Sequence, residues 1–289
     1  SWFAEAARNE NFKDYRFIFD NVENGALWDV ERFFGKAVRE RLEPPHKNVA
    51  GSDTVEQFYY NLSINCDARP CIYVVDSMDA LGSEAGDGKF TAELNRYETG
   101  KGEVPGSMGM EKGKVNSQNI NRMVRSLRKN GSILVVISQY RDKPGRYATK
   151  AASGGHALKF YAHIRLWTEV RGEITRTYLD KERNVGSYIQ VEIQKNRVCG
   201  WEDRITLEYL KNYGVDDVGT SISWLVEEKH WKGGEGTIEA PEFGFKGRKE
   251  KLIQKIQNEN LEGKLSEIVT VVWKKIIEMA TPDRKAKYV

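Results

Sequence analysis

The 289 residues carry 45 lysines and arginines against 42 acids, a formal net charge of +3, and 39% of them are hydrophobic. Such a mix supports a large buried core and excludes a disordered chain, while so small a net charge leaves any nucleic-acid surface to local clustering of basic residues. No apolar run approaches the ~20 residues of a membrane span, no basic start and apolar centre mark a signal peptide, and Cys66, Cys71 and Cys199, with no C-x-x-C among them, read as reduced thiols of a cytoplasmic protein.

The chain opens on SWFAEAARNE, which reads as the inside of a helix with no cap before it, as expected of a fragment of a longer reading frame. Tyr15 to Phe19 is a short apolar strand ending in Asp20, with Glu23 just beyond. Residues 26–40 have helical spacing, with Leu27, Val30, Phe33 or Phe34 and Val38 on one side, and Pro44-Pro45 ends them. Thr54 to Ile64 is another helix, with Ser52 or Asp53 as its N-cap. CIYVVDS, residues 71–77, reads as a strand buried on both faces, as in a parallel sheet, ending in Asp76-Ser77. Residues 82–114 are Gly-rich and polar, too long for an ordinary connection, and are expected to be a functional loop or an insertion. Val115 to Lys129 is a helix stopped by Asn130-Gly131. Ile133 to Ile137 is a further buried strand, ending in Ser138 and Gln139. A basic, Gly- and Ala-containing loop, 140–155, leaves from that tip. His156 to His163 is a short amphipathic segment, and Ile164 to Trp167 returns to the sheet.

Arg171-Gly172 then reads as a turn. Ile174 to Tyr178 and Ser187 to Ile193 alternate as antiparallel strands, with Asn184 to Gly186 nearby. Ile205 to Leu210 is a strand and Ile222 to Glu228 a helix. Residues 232–247 are a linker by composition. Two helices close the chain, the second with an apolar stripe running from Leu265 to Ile277, and the tail is basic at Arg284, Lys285 and Lys287. Helices alternating with buried strands, followed by a run of alternating strands, predict an α/β fold. Its central sheet is mixed and mainly parallel, flanked by helices, with a small C-terminal helical appendage. The expected organisation is a core over 1–231, a linker over 232–247 and a helical segment over 248–289.

Three buried strands end in polar residues, and ligands of open α/β sheets bind beyond the carboxyl ends of parallel strands. If these strands are neighbours, Glu23, Asp76 and Gln139 share one crevice. Their types suit nucleotide hydrolysis. An Asp after a hydrophobic strand holds Mg2+ through water, a Glu takes the proton of an attacking water, and a Gln, donor and acceptor both, reports on a γ-phosphate. The plainer alternative is that the acids cap helices after strands. The loop 140–155 carries Arg141, Lys143, Arg146 and Lys150 against one anion, Asp142. Its Gly145, Gly154 and Gly155 let backbone approach a ligand closely, as nucleic-acid phosphates would require; the alternative is a solvated basic loop. Lys112 and Lys114 add charge to the other long loop. The histidines at 46, 156, 163 and 230 show no metal-ligand spacing.

CIYVVDSMDAL (71–81), LVVISQYRDKPG (134–145) and ASGGHALKFYAHIRLW (152–167) together resemble the RecA family of recombinases, ATP-dependent DNA strand-exchange proteins. The resemblance implies a RecA-like P-loop NTPase core, ATP and Mg2+ as cofactors, and a homo-oligomeric filament on single-stranded DNA. Duplex DNA would be the partner in strand exchange, with roles in recombination and repair. Asp76 is then similar to the Walker B carboxylate, with Ser77 beside it, and Glu23 to the glutamate that activates water. Gln139 resembles the switch that senses γ-phosphate and moves the second DNA loop, 140–155. The first DNA loop resembles 103–114, expanded at 82–102. QKNRV (194–198) is similar to a segment whose two basic residues, here Lys195 and Arg197, reach a neighbouring subunit's nucleotide. One departure is large: G-x-x-x-x-G-K-[ST], whose backbone amides and Lys hold the β- and γ-phosphates, occurs nowhere in these residues. This polypeptide alone is therefore expected to bind ATP poorly. Two other readings stand beside the recombinase: a non-catalytic RecA-like DNA-binding or mediator paralogue, and a RecA-fold helicase, against which the Gly-Gly-x-Ala-Leu-Lys-Phe-Tyr segment argues.

Overall fold

A computed structural model describes residues 2–25, 29–47, 49–100, 111–143, 149–152, 155–234 and 236–284, with backbone alone for 111, 141–143, 149–152, 155–156 and 234. The chain forms two compact units, Ser1–His163 and Ile164–Val289. In the first, strands β1 (Arg16–Asn21), β2 (Leu42–Glu43), β3 (Cys71–Asp76) and β4 (Ile133–Val136) form a parallel sheet in the order β2-β1-β3-β4. Helices α1 (Trp2–Arg8), α2 (Val30–Phe34), α3 (Lys36–Arg41), α4 (Val55–Ala68), α5 (Glu84–Thr99) and α6 (Glu111–Asn130) precede or connect these strands. After β4 come a two-stranded antiparallel pair, β5 (Tyr140–Lys143) with β6 (Thr149–Ala152), and α7 (Gly155–Tyr161).

The uninterrupted apolar run of β3 follows from burial on both faces. Tyr73 and Val75 join Ile18 against Phe58, Leu62, Ile120 and Met123 from α4 and α6. Ile72 and Val74 join Phe17 against Ala6 and Phe3 of α1. Arg41 closes the second face, its guanidinium 3.9 Å from the Phe17 ring centroid and donating to the carbonyls of Phe12 and Tyr15 at 2.5 Å. This is the expected α/β core with a parallel sheet between helices.

Two local expectations change in this unit. The N-cap of α4 is Thr54, whose hydroxyl accepts from Gln57 N at 3.2 Å; Ser52 is instead turned inward to Asp20. Residues 84–99, expected as irregular, form α5, capped by Ser83 at one end and by Gly100 in the left-handed region (φ 68°) at the other. α5 buries none of its residues, so it lacks the apolar stripe that reveals a core-facing helix. The stop after α6 is as expected: Gly131 has φ 68° and Ser132 N donates back to Leu127 O at 2.9 Å.

In the second unit β7 (Ile164–Tyr178), β8 (Lys181–Asn196), β9 (Arg204–Leu210) and β10 (Gly214–Val215) form an antiparallel sheet in the order β10-β9-β8-β7. The expected turn at Arg171-Gly172 lies inside β7, absorbed as a register shift between Val170 and Gly172. Reversal occurs instead at Leu179 and Asp180, with φ of 52° and 57°. Asn184 to Gly186 lies inside β8.

α8 (Asp217–Glu227) follows. The stretch expected as a linker is a small antiparallel sheet, β11 (Lys232–Gly234), β12 (Thr237–Ala240) and β13 (Phe245–Gly247). Its Ile238, Ala240 and Phe243 are buried with Trp231 against Ile222 and Leu225 of α8, Leu252 and Ile256 of α9 (Lys249–Asn258), and Leu265 of α10 (Glu262–Ala280). Trp231 Nε1 donates to Glu242 Oε2 at 2.8 Å, and Lys249 pairs with Glu208 while donating to Ser223 Oγ at 2.7 Å. Among the described residues no helix is long and apolar enough to cross a membrane. Cys66 and Cys71 are buried, Cys199 is exposed, and all three are free.

Candidate functional site

In the order β2-β1-β3-β4 the chain moves outward from β1 to β2, then crosses back to place β3 on the other side of β1. The switch point, where a crevice opens beyond the carboxyl ends, is therefore between β1 and β3. Asn21 and Asp76 are partners in register there. Glu23 follows β1, and its N–H donates to Asp76 O at 3.2 Å. Ser77 Oγ donates to Glu23 Oε1 at 2.5 Å, and the Asp76–Ser77 peptide is cis. Gln139, beyond β4, donates from Nε2 to the same Glu23 Oε1 at 3.2 Å. The structure thus brings Glu23, Asp76, Ser77 and Gln139 together.

It also brings in Asp79, which sequence reasoning missed. Asp79 Oδ2 accepts from Gln139 N at 2.7 Å, and Asp79 O accepts from Lys112 Nζ at 3.1 Å. The sequence shows only a second acid, in DSMD on the turn that leaves β3, with no local pattern to name its partner.

Below the crevice lies a buried polar lattice. Asp20 is fully buried; its carboxylate accepts from Ser52 N, Ser52 Oγ and Tyr73 OH, each at 2.7 Å. Asn61 Nδ2 donates to Ser52 Oγ at 2.9 Å. Burial first, then the neighbouring Asp20, hold the Tyr73 phenol far above its usual range, so Tyr73 remains a donor. The segment around Ser52 lies close against the end of β1. Asn21 N donates to Ala50 O at 3.2 Å, and a Cβ on Gly51 would stand 2.5 Å from Asn21 O.

The crevice is rich in negative charge. Burial, and then Glu23, raise the Asp76 carboxyl above its usual range. Asp79 Oδ1 is buried without a hydrogen-bond partner. Among the described residues no cluster of three or more His, Cys, Asp or Glu is placed to hold a metal ion directly. A hydrated divalent cation suits these oxygens, since it would relieve the repulsion at Asp76 through its own water shell.

The remaining expected residues are placed as follows. Lys112 turns toward Asp79, and Lys114 is exposed on α6. Arg141 and Lys143 lie on β5 and Lys150 on β6, known by backbone alone; Gly155 opens α7. Arg146 and Gly154 lie outside the described residues. In the second unit Lys195 of β8 is paired with Arg165 of β7, and Arg197 follows directly after β8. Partial burial, then Arg197 and Arg165, push the Lys195 ammonium below its usual range, as expected where cations are held together.

The RecA N-terminal domain family matches residues 72–216. "Protein RecA" of Methylobacterium radiotolerans is 26% identical over 204 residues, covering 64% of this chain and 53% of that protein. "Protein RecA" of Caulobacter vibrioides is 31% identical over 159 residues, covering 52% and 38% respectively. "Protein RecA" of Streptococcus sanguinis is 33% identical over 110 residues, covering 37% and 28%. The chain spans about half the length, or less, of the curated relatives it matches. The family match takes in half of the chain and includes both Asp76 and Gln139, on a sheet whose switch point holds them: the chain belongs to the RecA family and has its α/β core.

Proposed function

We propose that this protein is an ATP-dependent recombinase. It assembles as a homo-oligomeric filament on single-stranded DNA and exchanges strands with duplex DNA in homologous recombination and repair. One observation carries the reading: Gln139 is bonded to Glu23 on one side and leads directly into the β5–β6 hairpin of the cationic loop on the other. A change at Glu23 therefore reaches the loop through a single residue.

The chain's own groups divide the work. Glu23 is the general base; Ser77 and Gln139 both donate to its Oε1, which orients the carboxylate and leaves Oε2 facing the water to be deprotonated. Gln139 exchanges its bond to Glu23 for one to a γ-phosphate oxygen, and the exchange moves the start of β5. Asp76 would hold Mg2+ through water, and the ion would neutralise charge on the transferring phosphoryl group. Lys195 and Arg197 serve a neighbouring subunit's nucleotide. Arg141, Lys143, Arg146 and Lys150, with Gly154 and Gly155 allowing close approach, track the DNA backbone together with Lys112 and Lys114. Recognition is electrostatic and tolerant of sequence.

The test is oligo(dT)-stimulated ATP hydrolysis by the complete gene product. Glu23→Gln should lower the stimulated rate by about 10²–10⁴-fold, the usual worth of a general base. A rate that survives this change sinks the mechanism. The alternative reading is a non-catalytic RecA-like DNA-binding paralogue. Its outcome in the same assay is oligo(dT) binding with no hydrolysis.

A further inference from the structure

We propose that Asp79 is a positioning residue for Gln139, and that through Lys112 it joins the two DNA-facing segments at one point. The proposal rests on the reading of Gln139 as the switch. Beyond the paired strands, the β3–β4 ladder continues on backbone groups. Ile137 N donates to Val75 O at 3.1 Å, and Met78 N donates to Ile137 O at 2.9 Å. The next donor, the Gln139 N–H, meets no β3 carbonyl, because the chain has entered a turn in which Ala80 N donates to Ser77 O at 3.2 Å. Asp79 Oδ2 takes this donor at 2.7 Å. A side-chain carboxylate thus supplies a rung of the ladder, and an ionised acceptor makes such a bond roughly twice as strong as a neutral one.

The main chain of the same residue holds the other segment. Asp79 O accepts from Lys112, the second residue of α6 and part of the expected first DNA loop, 103–114. Asp79 Oδ1 is buried and unpartnered. A buried oxygen left unsatisfied costs stability, which fits a group kept for where it puts Gln139 rather than for the strength of the fold.

The test uses the 289-residue chain with oligo(dT) and reads amide hydrogen exchange at Gln139. Asp79→Ala should speed exchange there by about tenfold or more, the worth of one charge-assisted hydrogen bond. Asp79→Asn keeps an acceptor oxygen and should restore protection to within about threefold, since it loses only the charge assistance. Unchanged exchange in Asp79→Ala, or no rescue by Asp79→Asn, overturns the positioning role. Should Asp79→Ala not fold, Asp79→Ser, too short to reach the amide, replaces it in the same contrast. Oligo(dT) should slow the Gln139 amide in the unmodified chain, and Lys112→Ala should weaken that response; a response of unchanged size overturns the junction. Gln139→Ala, assayed in parallel for oligo(dT) affinity with and without ATP in the complete gene product, tests the switch itself. If it is inert, the switch reading fails while the exchange data still decide the role of Asp79.

Discussion

The Asp76 carboxyl is held above its usual range by burial and by repulsion from Glu23. A carboxyl raised in the folded state stabilises the fold fully below its unfolded pKa, and that contribution is lost as pH rises through the folded value. At neutral pH the charge on Asp76 therefore works against folding. Asp76→Asn should raise Tm at neutral pH, and the gain should vanish as pH falls toward about 4, the ordinary range of an Asp. Melting curves across that interval check it; a gain independent of pH would mean that the charge is not the cause. The polar tips were legible in the sequence because Asp20, Asp76 and Gln139 each follow an unbroken apolar run, a local signal. Asp79 was not. Its bond reaches a backbone amide 60 positions away, and no pattern within DSMDAL records such a partner.

At the scale of elements, β1 and the segment around Ser52 illustrate close approach. A Cβ on Gly51 would meet Asn21 O at 2.5 Å and Val22 N at 2.9 Å, and neither backbone atom can swing aside as a side chain would. Gly51→Ala should cost about 1–3 kcal/mol, the range for overpacking, read from the urea midpoint at unchanged m. The displaced end of β1 carries Glu23, so activity should fall with stability. β1, β3 and β4 were legible as short apolar runs, and α4 and α6 because their apolar residues repeat at helical spacing. α5 was hidden because it buries nothing. The β11–β13 sheet was hidden because its glycines and charges resemble a linker, while Trp231, Ile238 and Phe243 are packed by elements distant in sequence. Arg171-Gly172 misled because a strand as long as β7 can take a turn signal as a bulge.

For the whole molecule, a net charge of +3 means that long-range attraction to a nucleic acid would be weak, and that on the proposed function local clusters would supply the contacts. Arg141→Ala combined with Lys143→Ala should weaken oligo(dT) binding and flatten the plot of log K against log salt. Each lost phosphate contact on a single strand removes about 0.7 from the slope, so two remove about 1.4. An unchanged slope would clear the hairpin of phosphate contact. The fold class was legible at this scale, since helices alternating with apolar strands leave few solutions other than a parallel sheet between helices. The division after His163 was not, because no Pro-, Gly- or charge-rich stretch marks it. The lattice around Asp20 bears on how such a molecule can move. Tyr73 bolts β3 to β1 directly below the crevice, and Ser52 bolts the following segment to the same carboxylate. Glu23 and Asp76 therefore rest on a fixed anvil. On the proposed function, a displacement at Glu23 would pass along Gln139 toward β5, with the exit of β4 as its crank and the β1–β3 pair as the frame it works against.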